Sequence, residues 1–179
     1  MVFPVLHGKN GEDGTVQGLF ALCGIPIVGC GTLSSALCMD KDRAHKLASL
    51  AGVAVPKSVT FCRSTKSTAV QKIQSYLTYP LFVKPVRAGS SFGISKITDA
   101  NALDRAIELA FCYDAEVTVE EAIDGFEVGC AVLGNETLTV GRVDEIELSD
   151  GFFDYTEKYT VCGKKQNGKS VTTKKKEAV

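Results

Sequence analysis

Lys84 stands inside an apolar run, Leu81-Phe82-Val83-Lys84-Pro85, that leads into Gly89-Ser90-Ser91-Phe92-Gly93. Lysine is rare in a buried strand unless an anion meets it. The small-residue loop that follows offers exposed backbone N–H groups and two short hydroxyls, Ser90 and Ser91. Such a loop can close over phosphate oxygens while the lysine supplies a point charge. The competing reading is an ordinary hairpin whose lysine snorkels to water.

Other residues extend this chemistry only in combination. Lys41 lies just after Asp40 at an expected helix start, where backbone N–H groups also favour anions; alone it reads as a solvated surface lysine. Glu120-Glu121-Ala122-Ile123, then Glu127, ends one strand and enters the next. Such a crossing can read a base edge through its backbone and a ribose through a carboxylate, and it can equally be a charged strand end. His7 closes an apolar segment and precedes three glycines, at a place where open α/β sheets bind ligands; a histidine held by nearby backbone fits as well. Asp154-Tyr155-Thr156-Glu157-Lys158-Tyr159 mixes rigid hydroxyls with charge, or is a plain loop. The glycine loop at 8–14 lacks the Gly-Lys-Ser/Thr ending of a P-loop.

The pattern around these residues predicts the elements that position them. Val2–Leu6 reads as a strand, Val16–Cys23 as a helix stopped by Gly24, and Ile25–Val28 as a strand, a β-loop-α-β opening typical of a parallel sheet. Asp40 caps a helix over Lys41–Ala51, with Gly52 beyond its end. Val53–Phe61 is extended. Ser67 starts a helix that reaches Leu77. The Lys84 strand and Ile94–Ile97 form a hairpin, and Thr98 or Asp99 caps a helix carrying Leu103, Ala106, Ile107 and Ala110. Strands follow at Glu116–Ile123, Glu127–Leu133 and Thr137–Leu148. The class is therefore α/β at the start and α+β, with mainly antiparallel strands, from Lys41 onward.

The 179 residues suffice for one ordinary domain or two small ones, and a 45% apolar content supports a core. The net charge of −1 does not suggest nucleic acid or a membrane surface as a partner. No long apolar run predicts a membrane helix, and residues 1–7 lack the features of a signal peptide. Seven cysteines, an odd number with no Cys-x-x-Cys, read as small buried hydrophobes in a reducing cytosol. Residues 161–179 hold six lysines and one glutamate and read as a disordered basic tail.

Taken together, Phe3–Gly14, Ser35–Lys41, Phe82–Gly93, Glu127-Val128-Gly129 and Phe153–Tyr159 resemble, in order, the motifs of the D-alanine–D-alanine ligase family within the ATP-grasp fold. The resemblance covers residues 2–160 and is strongest toward vancomycin-resistance ligases that join D-alanine to D-serine. It implies a partial N-terminal substrate domain over 1–39, a central lid subdomain over 40–124 and part of a C-terminal subdomain over 125–160, an incomplete ATP-grasp fold. It implies a cytoplasmic enzyme for peptidoglycan precursors. ATP phosphorylates one D-alanine, and the amine of a second D-amino acid attacks the acyl phosphate. Lys41, Lys84, Ser91, Glu120, Glu121, Ile123, Glu127 and Lys158 match ATP-contacting positions, while Ser90, Tyr159 and His7 match catalytic ones. The family holds Mg2+ through an aspartate and a Glu-x-Asn pair, and no Glu-x-Asn occurs here. The reading is thus an internal piece of a longer ligase, weak or inactive alone; the family commonly forms homodimers. Two alternatives remain: a non-catalytic remnant that at most binds ATP, and a binding module whose basic tail meets an acidic partner.

Overall fold

In the computed structural model, residues 1–146 and 174–175 are described. The chain divides into two compact units, Met1–Ala122 and Ile123–Val179.

The first unit opens less regularly than the sequence predicts. Val2 and Ile27 make a single parallel bridge, through Val2 N to Pro26 O (2.8 Å) and Val28 N to Val2 O (2.9 Å). The parallel pairing is there, but the two full strands are not. Pro4 and Pro26 supply no N–H, so a longer ladder would lack donors at both. Helix α1 (Thr15–Leu22) follows the glycine loop, and α2 (Thr32–Met39) is an element outside the sequence expectation. Thr32, Ser34 and Ser35 are modest helix formers, which hides α2 from a propensity reading. In α1 it is Gln17 that is buried, bonding Gly11 O at 2.9 Å, whereas Leu19 on the expected apolar face is exposed.

Helix α3 (Lys41–Leu50) begins where predicted, because Asp40 accepts the Arg43 backbone N–H at 2.9 Å. Beyond it come β1 (Ser58–Cys62), α4 (Lys66–Tyr76), β2 (Leu81–Pro85), β3 (Ser95–Ile97), α5 (Leu103–Phe111) and β4 (Glu116–Glu121). The four strands form one antiparallel sheet in the order β1-β4-β2-β3, and β2 and β3 are the expected hairpin.

This sheet has two faces of different character. Strand alternation sends Leu81 and Val83 of β2 and Val117 and Val119 of β4 to one side, where Ile73 of α4 and Ile107 of α5 seal an apolar core. The other side carries Thr60, Phe82, Lys84, Thr118 and Glu120. Helix α3 reaches this polar face through Arg43, whose guanidinium lies 3.1 Å from Glu116, and through His45, which faces Glu120. Strand β4 is consequently buried on both sides over Val117–Glu120.

The second unit contains β5 (Glu127–Gly134) and β6 (Leu138–Ile146), an antiparallel pair with a register shift between Cys130 and Val132. The two-residue strand β7 (Lys174–Lys175) joins β6 opposite Asp144 and Glu145. Of the stretch expected to be disordered, this pair is therefore in a ladder, for which the unpaired backbone of an edge strand is sufficient. The rest of that stretch, and Asp154–Tyr159, lie outside the described residues.

Among the described residues, the expectation of buried cysteines fails. Cys23, Cys30, Cys38, Cys112 and Cys130 are exposed and Cys62 is half-buried. Cys23 and Cys112 are the C-caps of α1 and α5, where the side chain leaves the apolar stripe of its helix.

Candidate functional site

The polar face of the sheet gathers the residues that sequence alone could only suspect. Lys84 projects from β2, and its ammonium pairs with Glu120 Oε1 on the neighbouring strand β4. Glu120 is 4% exposed, and its second oxygen, Oε2, accepts no hydrogen bond among the described residues. A buried carboxylate with one oxygen unfilled is an acceptor waiting for a donor.

Lys41, the first residue of α3, donates its Nζ to Ala88 O at 2.8 Å and to Val86 O at 3.3 Å. Its backbone N–H also bonds Val86 O, at 3.1 Å, so α3 begins against the exit of β2. Burial, reinforced by repulsion from Lys84, lowers the Lys41 ammonium to about 8, against the pull of Glu120, Asp114 and Asp40. Two lysines close enough to repel, in partly desolvated surroundings, can together offset the charge of an anion with several negative oxygens.

The loop after β2 is anchored at its root. Arg87 grips Asp114 with its backbone N–H (2.6 Å) and its guanidinium (2.7 and 3.1 Å). Burial alone would raise the Asp114 carboxyl, but these bonds override it and hold the group below its usual range. Beyond the root, Ser90 and Ser91 both take left-handed φ, +52° and +59°, and Phe92 N bonds Gly89 O at 3.2 Å. The positive φ pair has the sign pattern of a type I′ turn. Two consecutive non-glycine residues in this region store strain of about 1 kcal/mol each. The stack of Phe92 on Tyr113, at 6.1 Å between ring centroids, holds the far side.

The His7 loop meets this turn directly. A Cβ on Gly89 would lie 2.9 Å from the Gly8 Cα, and one on Gly8 would lie 3.9 Å from Ser90 Oγ. Gly8 is buried, and its N–H donates to the Glu12 carboxylate. The two glycine-bearing loops thus touch backbone to backbone, bringing the His7 segment beside Ser90.

The structure therefore assembles Lys41, Lys84, Glu120 and the Ser90-Ser91 turn, with the His7 loop alongside. Glu121 ends β4 with its carboxylate on the Thr78 N–H at 2.8 Å. Ile123 is exposed at the start of the second unit, where Glu127 opens β5. Lys158 and Tyr159 fall outside the described residues. Sequence reasoning misses Phe82 and Thr118 on this face and His45 on α3 against it. Alternation alone puts Phe82 beside Lys84, whose Nζ lies 5.1 Å from the ring centroid, with Lys96 Nζ at 5.6 Å. Among the described residues, no group of three His, Cys, Asp or Glu side chains could hold a metal ion, and no helix is long and apolar enough to cross a membrane.

The state of Lys41 gives a testable pH dependence. Its folded pKa is depressed, so between about pH 8 and the ordinary lysine value the unfolded chain binds more protons, and stability rises with pH there. Anion binding runs the other way, since an anion requires the charged ammonium. Affinity for a polyphosphate is expected to fall as pH rises from 7.5 to 9.5, approaching about tenfold per unit at the upper end. In Lys41→Arg, always charged, the fall should disappear; calorimetric titrations across that range check it.

Comparison with known proteins extends these observations. The family model described as D-ala D-ala ligase C-terminus matches residues 47–179, and that described as D-ala D-ala ligase N-terminus matches residues 1–30. Vancomycin B-type resistance protein VanB of Enterococcus faecalis is 54% identical over 154 residues, which are 86% of this chain and 44% of VanB. A D-alanine--D-alanine ligase of Caldicellulosiruptor bescii is 50% identical over 163 residues, 89% of this chain and 45% of that protein. The crystal structure of the VanG D-Ala:D-Ser ligase from Enterococcus faecalis superposes with a TM-score of 0.82 at 74% identity, covering 88% of this chain and 46% of that one. The chain spans about half the length of the curated relatives it matches.

Proposed function

Because the chain belongs to the D-ala D-ala ligase family, with part of its ATP-grasp fold, we propose that the protein serves an ATP-dependent ligase joining D-alanine to a second D-amino acid for cell-wall precursors. The observation that carries this reading is the convergence of Lys41 and Lys84 beside a buried carboxylate with an open acceptor. Those residues fit a nucleoside triphosphate: two cations for its phosphates and one acceptor for an N–H on its base.

In this reading Lys41 and Lys84 orient the triphosphate and spread its charge, which is most of what phosphoryl transfer asks of a protein. ATP supplies the phosphoryl group that activates the first D-alanine carboxylate. Ser91 belongs to the turn that covers the phosphates. Ser90 and His7, brought near each other by the Gly8–Gly89 contact, orient that D-alanine. Glu120, Glu121, Ile123 and Glu127 serve the base and ribose, Lys158 the nucleotide, and Tyr159 closure of the site. Among the described residues, no cluster of three His, Cys, Asp or Glu side chains fits the family's Mg2+. Residues 1–39, 40–124 and 125–160 are assigned to the substrate, lid and C-terminal subdomains, and a cytoplasmic homodimer is the expected setting. The resemblance to D-serine ligases, with the 74% identity to the VanG D-Ala:D-Ser ligase, favours D-serine as second substrate.

The test is direct. Saturating ATP is expected to add about 2–3 kcal/mol of stability at a hundred times Kd, read as a higher melting temperature. D-alanine-dependent phosphate release then separates a ligase from a remnant that only binds. No shift with any adenine nucleotide would remove the nucleotide reading.

A further inference from the structure

Glu120 Oε2 has one near neighbour of particular chemistry. His45 Nδ1 lies 3.9 Å away, with the imidazole 30% exposed and the Glu120 side chain 6% exposed. That separation is too long for a hydrogen bond, yet a small side-chain rotation would close it. The location of His45 follows from the helix: it stands four residues after Lys41 in α3, so both side chains share a face. Around it, α3 itself contributes Lys41, Asp42 and Lys46, β4 contributes Glu120, and β2 contributes Lys84, which holds the other Glu120 oxygen. Asp42 and Lys46 are paired with each other at 2.6 Å, and Lys84 is committed to Oε1. Lys41 Nζ is held by Ala88 O and Val86 O, so among the described residues it is His45 that faces Oε2 with a ring nitrogen to offer.

We propose that His45 is a positioning residue, a stand-in donor that covers Glu120 Oε2 in the ligand-free protein and yields it to an amino group on the ligand's base. The inference rests on the nucleotide reading and deepens it, for it makes base discrimination a competition between two donors for one buried oxygen. His45 steadies the empty site because it spares the carboxylate a wholly unmet acceptor. It moderates the preference for an amino-bearing base because that amine must displace it. Its partly exposed flank gives the imidazole somewhere to go.

The experiment compares ATP with purine riboside 5′-triphosphate, which lacks the amine, by calorimetry on the full chain. The variants are His45→Ala, His45→Leu and His45→Gln. In the first two, the ratio of the two dissociation constants is expected to rise about three- to tenfold in favour of ATP. The ligand-free melting temperature should fall by about 3 °C. His45→Gln, which keeps an N–H donor, should restore both values toward wild type. An unchanged or reduced ratio in the Ala and Leu variants would overturn the role of His45, as would equal weakening of both ligands, the mark of a merely structural residue. Failure of the wild-type chain to bind either triphosphate would instead overturn the nucleotide reading, and this inference with it.

Discussion

Lys84→Met is expected to lose ATP affinity by about a hundredfold or more, since it removes a charge-assisted contact to phosphate from a partly desolvated site. The same substitution strands Glu120. With its Oε1 partner gone, a nearly buried carboxylate keeps only His45 beside it, 3.9 Å from Oε2. Breaking a buried pair in this way costs about 3 kcal/mol or more. Lys84 keeps 20% side-chain exposure, which places the expected loss nearer 2 kcal/mol. Urea denaturation and nucleotide titration read the two effects separately. The double variant Lys84→Met, Glu120→Gln distinguishes them: stability should recover by more than half, while binding stays lost. If the double variant binds ATP as wild type does, Lys84 is a structural ion-pair partner and nothing more.

Gly89→Ala is expected to weaken the site without unfolding the protein. The added Cβ would sit 2.9 Å from the Gly8 Cα, and backbone cannot rotate away as a side chain can. The loops must separate by a few tenths of an ångström, at a cost of about 1–3 kcal/mol as for other overpacked contacts. That displacement moves Ser90 relative to the His7 segment, and about tenfold or more of ligand affinity should go with it. Gly52→Ala is the control. Gly52 has positive φ, +82°, but open space around it, so its cost is conformational strain far from the site. Matching losses of affinity in the two variants would refute the loop contact as the cause.

The central sheet could be read almost element by element because its signals are local. Asp40 announces α3, alternation marks β2 and β4, and the Gly89–Gly93 run marks the turn between β2 and β3. The opening was harder. Val2–Leu6 is apolar enough for a strand, but two prolines limit the ladder to a single bridge. Helix α2 hid behind threonine and serine. The site was legible where chemistry is odd for its surroundings, as with Lys84 in an apolar run. It was illegible where chemistry depends on partners distant in the chain. Nothing near Glu120 in sequence says that its carboxylate meets Lys84, and His45 looks like any histidine on a polar helix until α3 is laid over β4. The contact between Gly8 and Gly89 is likewise tertiary.

Strand β2 writes two messages on alternate letters. Leu81 and Val83 address the oily layer under α4 and α5, whereas Phe82 and Lys84 address the polar side. Endurance and recognition are thereby tuned by interleaved positions, so mutagenesis on odd-numbered residues can harden the protein while leaving its chemistry alone. The same economy makes the strand brittle to indels: one inserted codon before Lys84 would drive an ammonium into grease and expose a valine to solvent, spoiling both traits at a stroke.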